Sequence, residues 1–151
     1  MLSKKLKEIF QNKDTCFDDA KTVAKENGKK LTLDLSNMPS QRRSCLIRVD
    51  DCLIKHQDIE MKKCDFWFHV SENDNNKIED NYNIFVEFKG GHIDTAYQQI
   101  TNTIKWIKPQ IGLTQSNCYA AIVASRACAP LRCRCATILP CSCRRVCRAW
   151  R

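Results

Sequence analysis

An amphipathic segment between two strand-like runs constrains the fold of this chain more than any other feature. Tyr82–Lys89 and residues 118–125 have the length and the apolar composition of strands. The segment between them carries apolar residues at helical spacing, which predict a helix that ends before Pro109. These residues are Ile93, Ala96, Tyr97, Ile100, Ile104 and Ile107. The pattern predicts an α/β protein whose last strand returns beside the others in a mixed sheet.

Two more strands are predicted upstream of this unit, at residues 45–54 and 63–70. Both segments are rich in Ile, Val, Phe, Trp or Cys. We expect them to be neighbours of Tyr82–Lys89 in the sheet. Residues 71–81 hold four asparagines and four acidic residues without apolar periodicity, which predicts a solvated loop.

The first 36 residues carry less regular patterns. Apolar residues at helical spacing predict an N-terminal helix over 2–10 and a second helix over 17–26 that ends at Gly28. Alternating leucines over 31–35 predict a short strand or an extended arm at the periphery of the fold. The predicted order of the main elements is a helix, three strands, a helix and a strand.

Charge and cysteine content divide the chain after Arg126. Residues 127–151 contain six arginines, six of the eleven cysteines and no acidic residue, whereas residues 1–126 hold 19 basic and 17 acidic side chains. The net charge of +8 therefore describes mainly the tail. We interpret 1–126 as one folded domain and 127–151 as a frameshifted or appended sequence that was not selected to fold with it. Two alternatives remain for the tail: a metal site built from its CxC pairs, and an arginine-rich nucleic-acid arm.

Several classes of protein lack support in residues 1–126. No apolar run approaches the length of about 20 residues that spans a bilayer, and residues 1–10 lack the apolar core of a signal peptide. We therefore predict a cytoplasmic protein without a membrane partner.

The five cysteines of residues 1–126 occur singly, which predicts reduced, mostly buried thiols. Phosphate-binding loops, GxSxG elbows and EF-hand loops are missing from the sequence. Three histidines match no metal-ligand spacing and are interpreted as surface or loop residues: His56, His69 and His92.

Candidate catalytic residues lie at the end of the strand Tyr82–Lys89. Alternate side chains of a strand share a face, so Glu87 and Lys89 point the same way. Asp65 lies in the preceding strand, 22 positions before Glu87, so a strand, a loop and a strand bring the two carboxylates together. Two carboxylates supply the oxygen ligands that Mg²⁺ prefers, and such a cation neutralises a phosphate and activates water. From spacing alone, the favoured alternative is a solvated Glu-Lys pair with an unrelated aspartate.

A resemblance to a known family favours the metal site over the solvated pair. Five segments within residues 31–125 carry it. They are Leu33-Asp34-Leu35-Ser36, Val49-Asp50-Asp51-Cys52-Leu53-Ile54, Lys63-Cys64-Asp65-Phe66, Val86-Glu87-Phe88-Lys89-Gly90 and Ala96-Tyr97-Gln98-Gln99-Ile100. Together they resemble a small bacterial family of PD-(D/E)xK, or restriction-endonuclease-like, nucleases. The resemblance implies an αβββαβ core with a mixed central sheet flanked by helices. It also implies hydrolysis of DNA with Mg²⁺ or Mn²⁺, in enzymes of which many are homodimers.

The resemblance assigns site residues by position. Asp65 corresponds to the first metal-binding acid of these nucleases, although Cys64 stands where many of them have proline. Glu87 and Lys89 correspond to the (D/E)xK pair, so that Asp65 and Glu87 are expected to hold the cation and Lys89 to act on the attacking water or the phosphate. Gln99, rather than Gln98, corresponds to a glutamine that many of these enzymes carry on the following helix.

An additional acid is also implied, because members of the superfamily often add one from the first helix. Glu8 and Glu26 are candidates without a surrounding motif. Asp50 and Asp51 compete with them, because one of two adjacent strand residues must face the site, and we select Asp50. The rival function is a non-catalytic module that binds nucleic acid or protein. The presence of all three matched side chains favours an enzyme, because a degenerate site is expected to lose one.

Overall fold

The computed structural model describes residues 2–11, 13–36, 43–55, 62–71, 81–90, 93–113 and 118–124. These residues form a mixed α/β fold, as predicted, with a five-stranded mixed sheet, two α-helices and a separate two-stranded sheet. The tail 127–151 and residues 72–80 of the predicted loop lie outside the described ranges. The hypotheses about them therefore stay predictions.

The helices are α1 (Leu2–Ile9) and α2 (Ile93–Ile111), and a short 3-10 turn covers Asp14–Cys16. The strands are β1 (Phe17–Asp19), β2 (Val23–Glu26), β3 (Lys29–Thr32), β4 (Arg43–Arg48), β5 (Phe66–Ser71), β6 (Tyr82–Lys89) and β7 (Cys118–Ala124). The main sheet has the order β1-β4-β5-β6-β7, and β2 pairs only with β3.

Three antiparallel strands form the centre of the main sheet, and one parallel strand lies at its edge. β4, β5 and β6 follow one another as antiparallel neighbours. β7 lies parallel to β6, with Ile122 beside Glu87, and α2 connects the two strands. A parallel pair requires a crossover of this kind, because the chain must return to the end of the sheet from which the first strand began. The last strand therefore returns beside Tyr82–Lys89, as the sequence predicted.

Side-chain alternation divides the apolar residues of the sheet between two faces. One core lies under both helices and includes Leu6, Ile47, Trp67, Phe85, Ile100 and Ile107. The other core lies between the sheet and the β2–β3 hairpin and includes Ala24, Leu31, Leu46, Phe68, Val86 and Val123. In the described part of the chain both helices thus cover one face of the sheet, and a hairpin covers the other.

The β2–β3 hairpin corrects two predictions. Residues 17–26 form β1 and β2 rather than a helix. Asn27 and Gly28 both have positive φ (46° and 74°), as a two-residue turn between antiparallel strands requires. Leu31 and Leu33 are buried, so the leucine segment is part of a core and does not lie at the periphery. Burial against the sheet, which the local pattern does not report, favours strand over helix here.

The turn after β4 shortens the predicted strand and contains an unexpected disulfide. β4 ends at Arg48, and the N–H of Ile54 donates to the carbonyl of Val49 at 3.0 Å. Cys52, within this turn, is bonded to Cys16, and their Cα atoms lie 5.6 Å apart across a separation of 36 residues. The prediction of reduced thiols is wrong for this pair, because sequence spacing does not reveal such proximity. It is confirmed for three free, buried cysteines: Cys45, Cys64 and Cys118.

α2 continues past the proline at which we predicted its end. Pro109 lies in the last turn, and the helix reaches Ile111, which is buried. Gly112 then adopts φ of 68°, and its N–H donates to the carbonyl of Lys108 at 3.0 Å. This C-terminal cap and the burial of Ile111 offset the hydrogen bond that proline cannot make. Neither described helix has both the length and the apolar character needed to cross a membrane.

A buried polar network lies on the helix-covered face, around His69 of β5. His69 is fully buried, which corrects its interpretation as a surface or loop residue. Its Nδ1 lies 2.8 Å from Asn83 Oδ1, and its Nε2 lies 3.1 Å from Asn81 Nδ2. The Trp67 indole donates to the same Asn83 oxygen at 3.1 Å. Because Asn81 Nδ2 is a donor, Nε2 accepts and the neutral ring carries its proton on Nδ1.

This network predicts a loss of stability in acid. Burial lowers the pKa of His69 from 6.5 to about 4, so its stabilising effect is present above pH 6.5 and is lost as the pH falls through 4. We expect the difference in unfolding free energy between wild type and His69→Gln to shrink by about 3 kcal/mol between pH 7 and pH 4. Urea denaturation of both proteins measures it, and shifts of other groups cancel in the difference. A difference that stays constant with pH would contradict a buried neutral imidazole.

Candidate active site

Glu87 and Lys89 meet at the end of β6, on the same face as Phe85. Lys89 Nζ lies 2.8 Å from Glu87 Oε1. Glu87 is only 1% exposed, and its Oε2 is buried without a hydrogen-bond partner among the described residues. A buried carboxylate oxygen without a partner has lost its hydration with no replacement. This oxygen is therefore a desolvated acceptor that lacks a donor in the described part of the chain.

Asp65 lies immediately before β5 and is held against β6 by its backbone and its side chain. Its N–H donates to the carbonyl of Val86 at 3.1 Å. Its Oδ2 accepts a hydrogen bond from the N–H of Phe88 at 2.6 Å. Because Phe88 separates Glu87 from Lys89 in β6, the Asp65 carboxylate lies beside both residues. The fold thus brings the three predicted residues together.

The acid in direct contact with Asp65 is Glu26, at the end of β2. In its protonated form, the Glu26 carboxyl group donates a hydrogen bond to the Asp65 carboxylate. Glu8, the other acid considered from the N-terminal region, is exposed on α1. The acid beside Asp65 therefore comes from a hairpin that covers the opposite face of the sheet, and not from the first helix.

Asp50 approaches the same site from the turn after β4. Its Oδ1 lies 3.5 Å from Nζ of Lys63, whose side chain is only 3% exposed. A lysine buried to this extent requires a partner of opposite charge. The negative charge of Asp50 also acts on Glu26 and Asp65. Asp50 therefore contributes charge to the site, whereas Asp51 is exposed in a left-handed conformation with φ of 54°.

Gln99 faces the site region from α2 but contacts the backbone rather than the acids. Its Nε2 donates to the carbonyl of Lys63 at 2.8 Å, while its Oε1 is buried without a partner among the described residues. Thr103, one turn later, accepts from the N–H of Cys64 at 2.9 Å. Gln98 is exposed. Gln99 and Thr103 therefore fix the backbone that leads into Asp65.

Burial raises the pKa of every acid in the centre of the site. Desolvation raises the pKa of Glu87 to about 7, and the charge of Asp65 adds to this increase while Lys89 opposes it. Burial and the hydrogen bond to Asp65 raise the pKa of Glu26 to about 7. Burial also raises the pKa of Asp65, although the Phe88 N–H counteracts it. Crowded and desolvated carboxyl groups of this kind favour the protonated form at neutral pH.

The described acids of the site do not form a closed metal-binding group by themselves. No group of three or more His, Cys, Asp or Glu side chains in the described ranges is arranged to hold a metal ion. Mg²⁺ commonly binds proteins through one or two carboxylates and completes its shell with water and substrate phosphate. Asp65 and Glu87 offer two carboxylates, and Glu87 Oε2 is buried without a hydrogen-bond partner among the described residues.

Sequence reasoning missed two features of the site, and one of them had a readable signal. Asn27-Gly28 between two four-residue runs is a strong hairpin signal, and it places Glu26 beside the turn of a hairpin instead of inside a helix. The pairing of Lys63 with Asp50 had no local signal, because the two residues belong to different segments.

No family model, curated protein or solved structure matches the chain.

Proposed function

We propose that this protein is a metal-dependent nuclease that hydrolyses phosphodiester bonds in DNA. The observation that carries the proposal is the meeting of Asp65, Glu87 and Lys89, with one buried oxygen of Glu87 left without a partner. Two carboxylates for a hard cation and a lysine for the phosphate are the groups that this hydrolysis requires.

The element order supports a restriction-endonuclease-like core. α1, the antiparallel strands β4, β5 and β6, then α2 and the parallel strand β7 follow the αβββαβ order. β1 and the β2–β3 hairpin are insertions into that order. Since one fold hosts many activities, the proposed function depends on the site and not on this order.

Asp65 and Glu87 would hold Mg²⁺ or Mn²⁺. When bound, the cation neutralises the phosphate and makes water a better nucleophile. The Phe88 N–H orients the Asp65 carboxylate before any cation arrives, because it donates to Oδ2 at 2.6 Å. Prior orientation of this kind lowers the cost of assembling the site.

Lys89 is the residue that acts on the substrate directly. Its side chain is 21% exposed, so the ammonium group borders solvent while it contacts Glu87. In that position it stabilises the negative charge that develops on the phosphate oxygens in the transition state. Gln99 and Lys63 act through other residues: Gln99 fixes the backbone before Asp65, and Lys63 balances the charge of Asp50.

The full chain, incubated with single-stranded, double-stranded and branched DNA and with RNA, tests the proposal. We expect cleavage of DNA with Mg²⁺ or Mn²⁺ and none with a chelator. Glu87→Gln purified in parallel excludes a contaminating nuclease. Metal-independent binding without cleavage of any substrate would overturn the proposal and favour the non-catalytic binding module.

A further inference from the structure

We infer that the β2–β3 hairpin, residues 23–32, is a phosphate-binding finger that holds the nucleic-acid backbone beside Asp65. This inference rests on the proposed nuclease function and names the substrate contact outside the reacting centre. The hairpin is separate from the main sheet and pairs only with itself. Its turn end lies at the site, because Glu26 interacts with Asp65 and the hairpin packs in the same apolar cluster as Val86 and Phe88, which flank Glu87.

Alternation along the hairpin gives it an inner and an outer side. Ala24 and Leu31 are cross-strand partners and are buried against the main sheet. Glu26 and Lys29 are partners two residues further along on the same side and are only partly buried. The inner side therefore passes from an apolar anchor to a charged pair at the margin of the site.

The outer side carries a pair of lysines directly opposite each other. Lys25 and Lys30 are cross-strand partners, and both are exposed. With Lys29, three lysines lie within six residues, and Glu26 is the only acid among those six. Since residues 1–126 have 19 basic and 17 acidic side chains, this is a local concentration of positive charge.

Two functions would explain lysines on this hairpin, and only one of them involves a ligand. Lysines on exposed strands prevent edge-to-edge association of sheets, and that role requires no ligand. A phosphate backbone bound at the site requires lysines close to the acids. The contact between Glu26 and Asp65 favours the second function, because protection of an edge does not require the hairpin turn to lie at the acids.

The test compares two triple variants of the full chain, each made in the Glu87→Gln background to prevent cleavage. Lys25→Gln, Lys29→Gln and Lys30→Gln remove the charge of the finger. Lys4→Gln, Lys5→Gln and Lys105→Gln remove the same charge from exposed positions of the two helices, which cover the opposite face. Fluorescence anisotropy with a labelled duplex DNA measures the Kd from 50 to 200 mM salt.

We expect the finger variant to bind at least about tenfold more weakly at low salt. Its slope of log K against log salt should fall by about 2 to 3, since each lost phosphate contact removes about 0.9. The control variant should change the Kd by about twofold or less, because its lysines contribute only through general charge. Thermal unfolding checks that both variants fold.

Equal losses of affinity in the two variants would overturn the finger while leaving the nuclease proposal intact. The finger would likewise be overturned if the protein that retains Glu87 cleaves DNA while the Kd of the finger variant is unaltered. The nuclease proposal would stand in that case. Failure of the unsubstituted chain to bind or cleave any nucleic acid would overturn both proposals.

Discussion

Replacing Lys89 with methionine is expected to lower kcat by about 10²–10³-fold with little change in the Mg²⁺ concentration that gives half-maximal activity. Methionine keeps the length of the aliphatic chain but removes the ammonium group 2.8 Å from Glu87 Oε1. One preorganised group that stabilises transition-state charge contributes about 3–4 kcal/mol, which corresponds to this change in rate. Asp65→Asn and Glu87→Gln should lower the rate as much and also weaken activation by Mg²⁺, because they remove ligand oxygens.

Single-turnover cleavage over a series of Mg²⁺ concentrations separates these effects. Lys105→Met makes the same chemical change at an exposed position of α2 and should retain full activity. The loss of Lys89 also removes the positive charge that opposes the increase in the pKa of Glu87. The comparison should therefore be repeated at pH 9, which lies well above the pKa of about 7 that Glu87 has in wild type. Rates within threefold of wild type in all three site variants would contradict the assignment of the site.

Between pH 4.5 and pH 8, metal-free Glu87→Gln should gain stability relative to metal-free wild type. Burial raises the pKa of Glu87 from 4.5 to about 7, so its contribution to stability is fully present below pH 4.5 and is lost as the pH rises through 7. Glu87→Gln cannot ionise and avoids this loss. At pH 8 we expect Glu87→Gln to gain about 3 kcal/mol over wild type, relative to the difference between the two proteins at pH 4.5.

Urea denaturation of both proteins at the two pH values, with a chelator present, measures this gain. Glu8→Gln makes the same substitution on the exposed side of α1 and should stay within about 0.5 kcal/mol of wild type. Mg²⁺ should then stabilise wild type at pH 8 but not Glu87→Gln, because a ligand stabilises only the protein that binds it. A constant difference between pH 4.5 and pH 8 would show that Glu87 ionises at no cost in the folded protein.

The sequence alone determined the elements in which one local period dominates. β6 has the predicted bounds of Tyr82–Lys89, and α2 and β7 follow at the predicted places. In each of them the repeat of apolar residues matches the side that packs on the core, so local pattern and tertiary burial agree. The shared side of Glu87 and Lys89 followed from the same strand period, and their ion pair of 2.8 Å agrees with it.

Only the tertiary structure decided the parts that depend on contacts between distant segments. The helix predicted over 17–26 became strands because Ala24 finds a buried position against the main sheet. The disulfide between Cys16 and Cys52, the contact of Glu26 with Asp65 and the pairing of Lys63 with Asp50 each join residues at least 13 positions apart. No local period reports such a contact, because packing and desolvation act on groups that the fold brings together and not on neighbours in the chain.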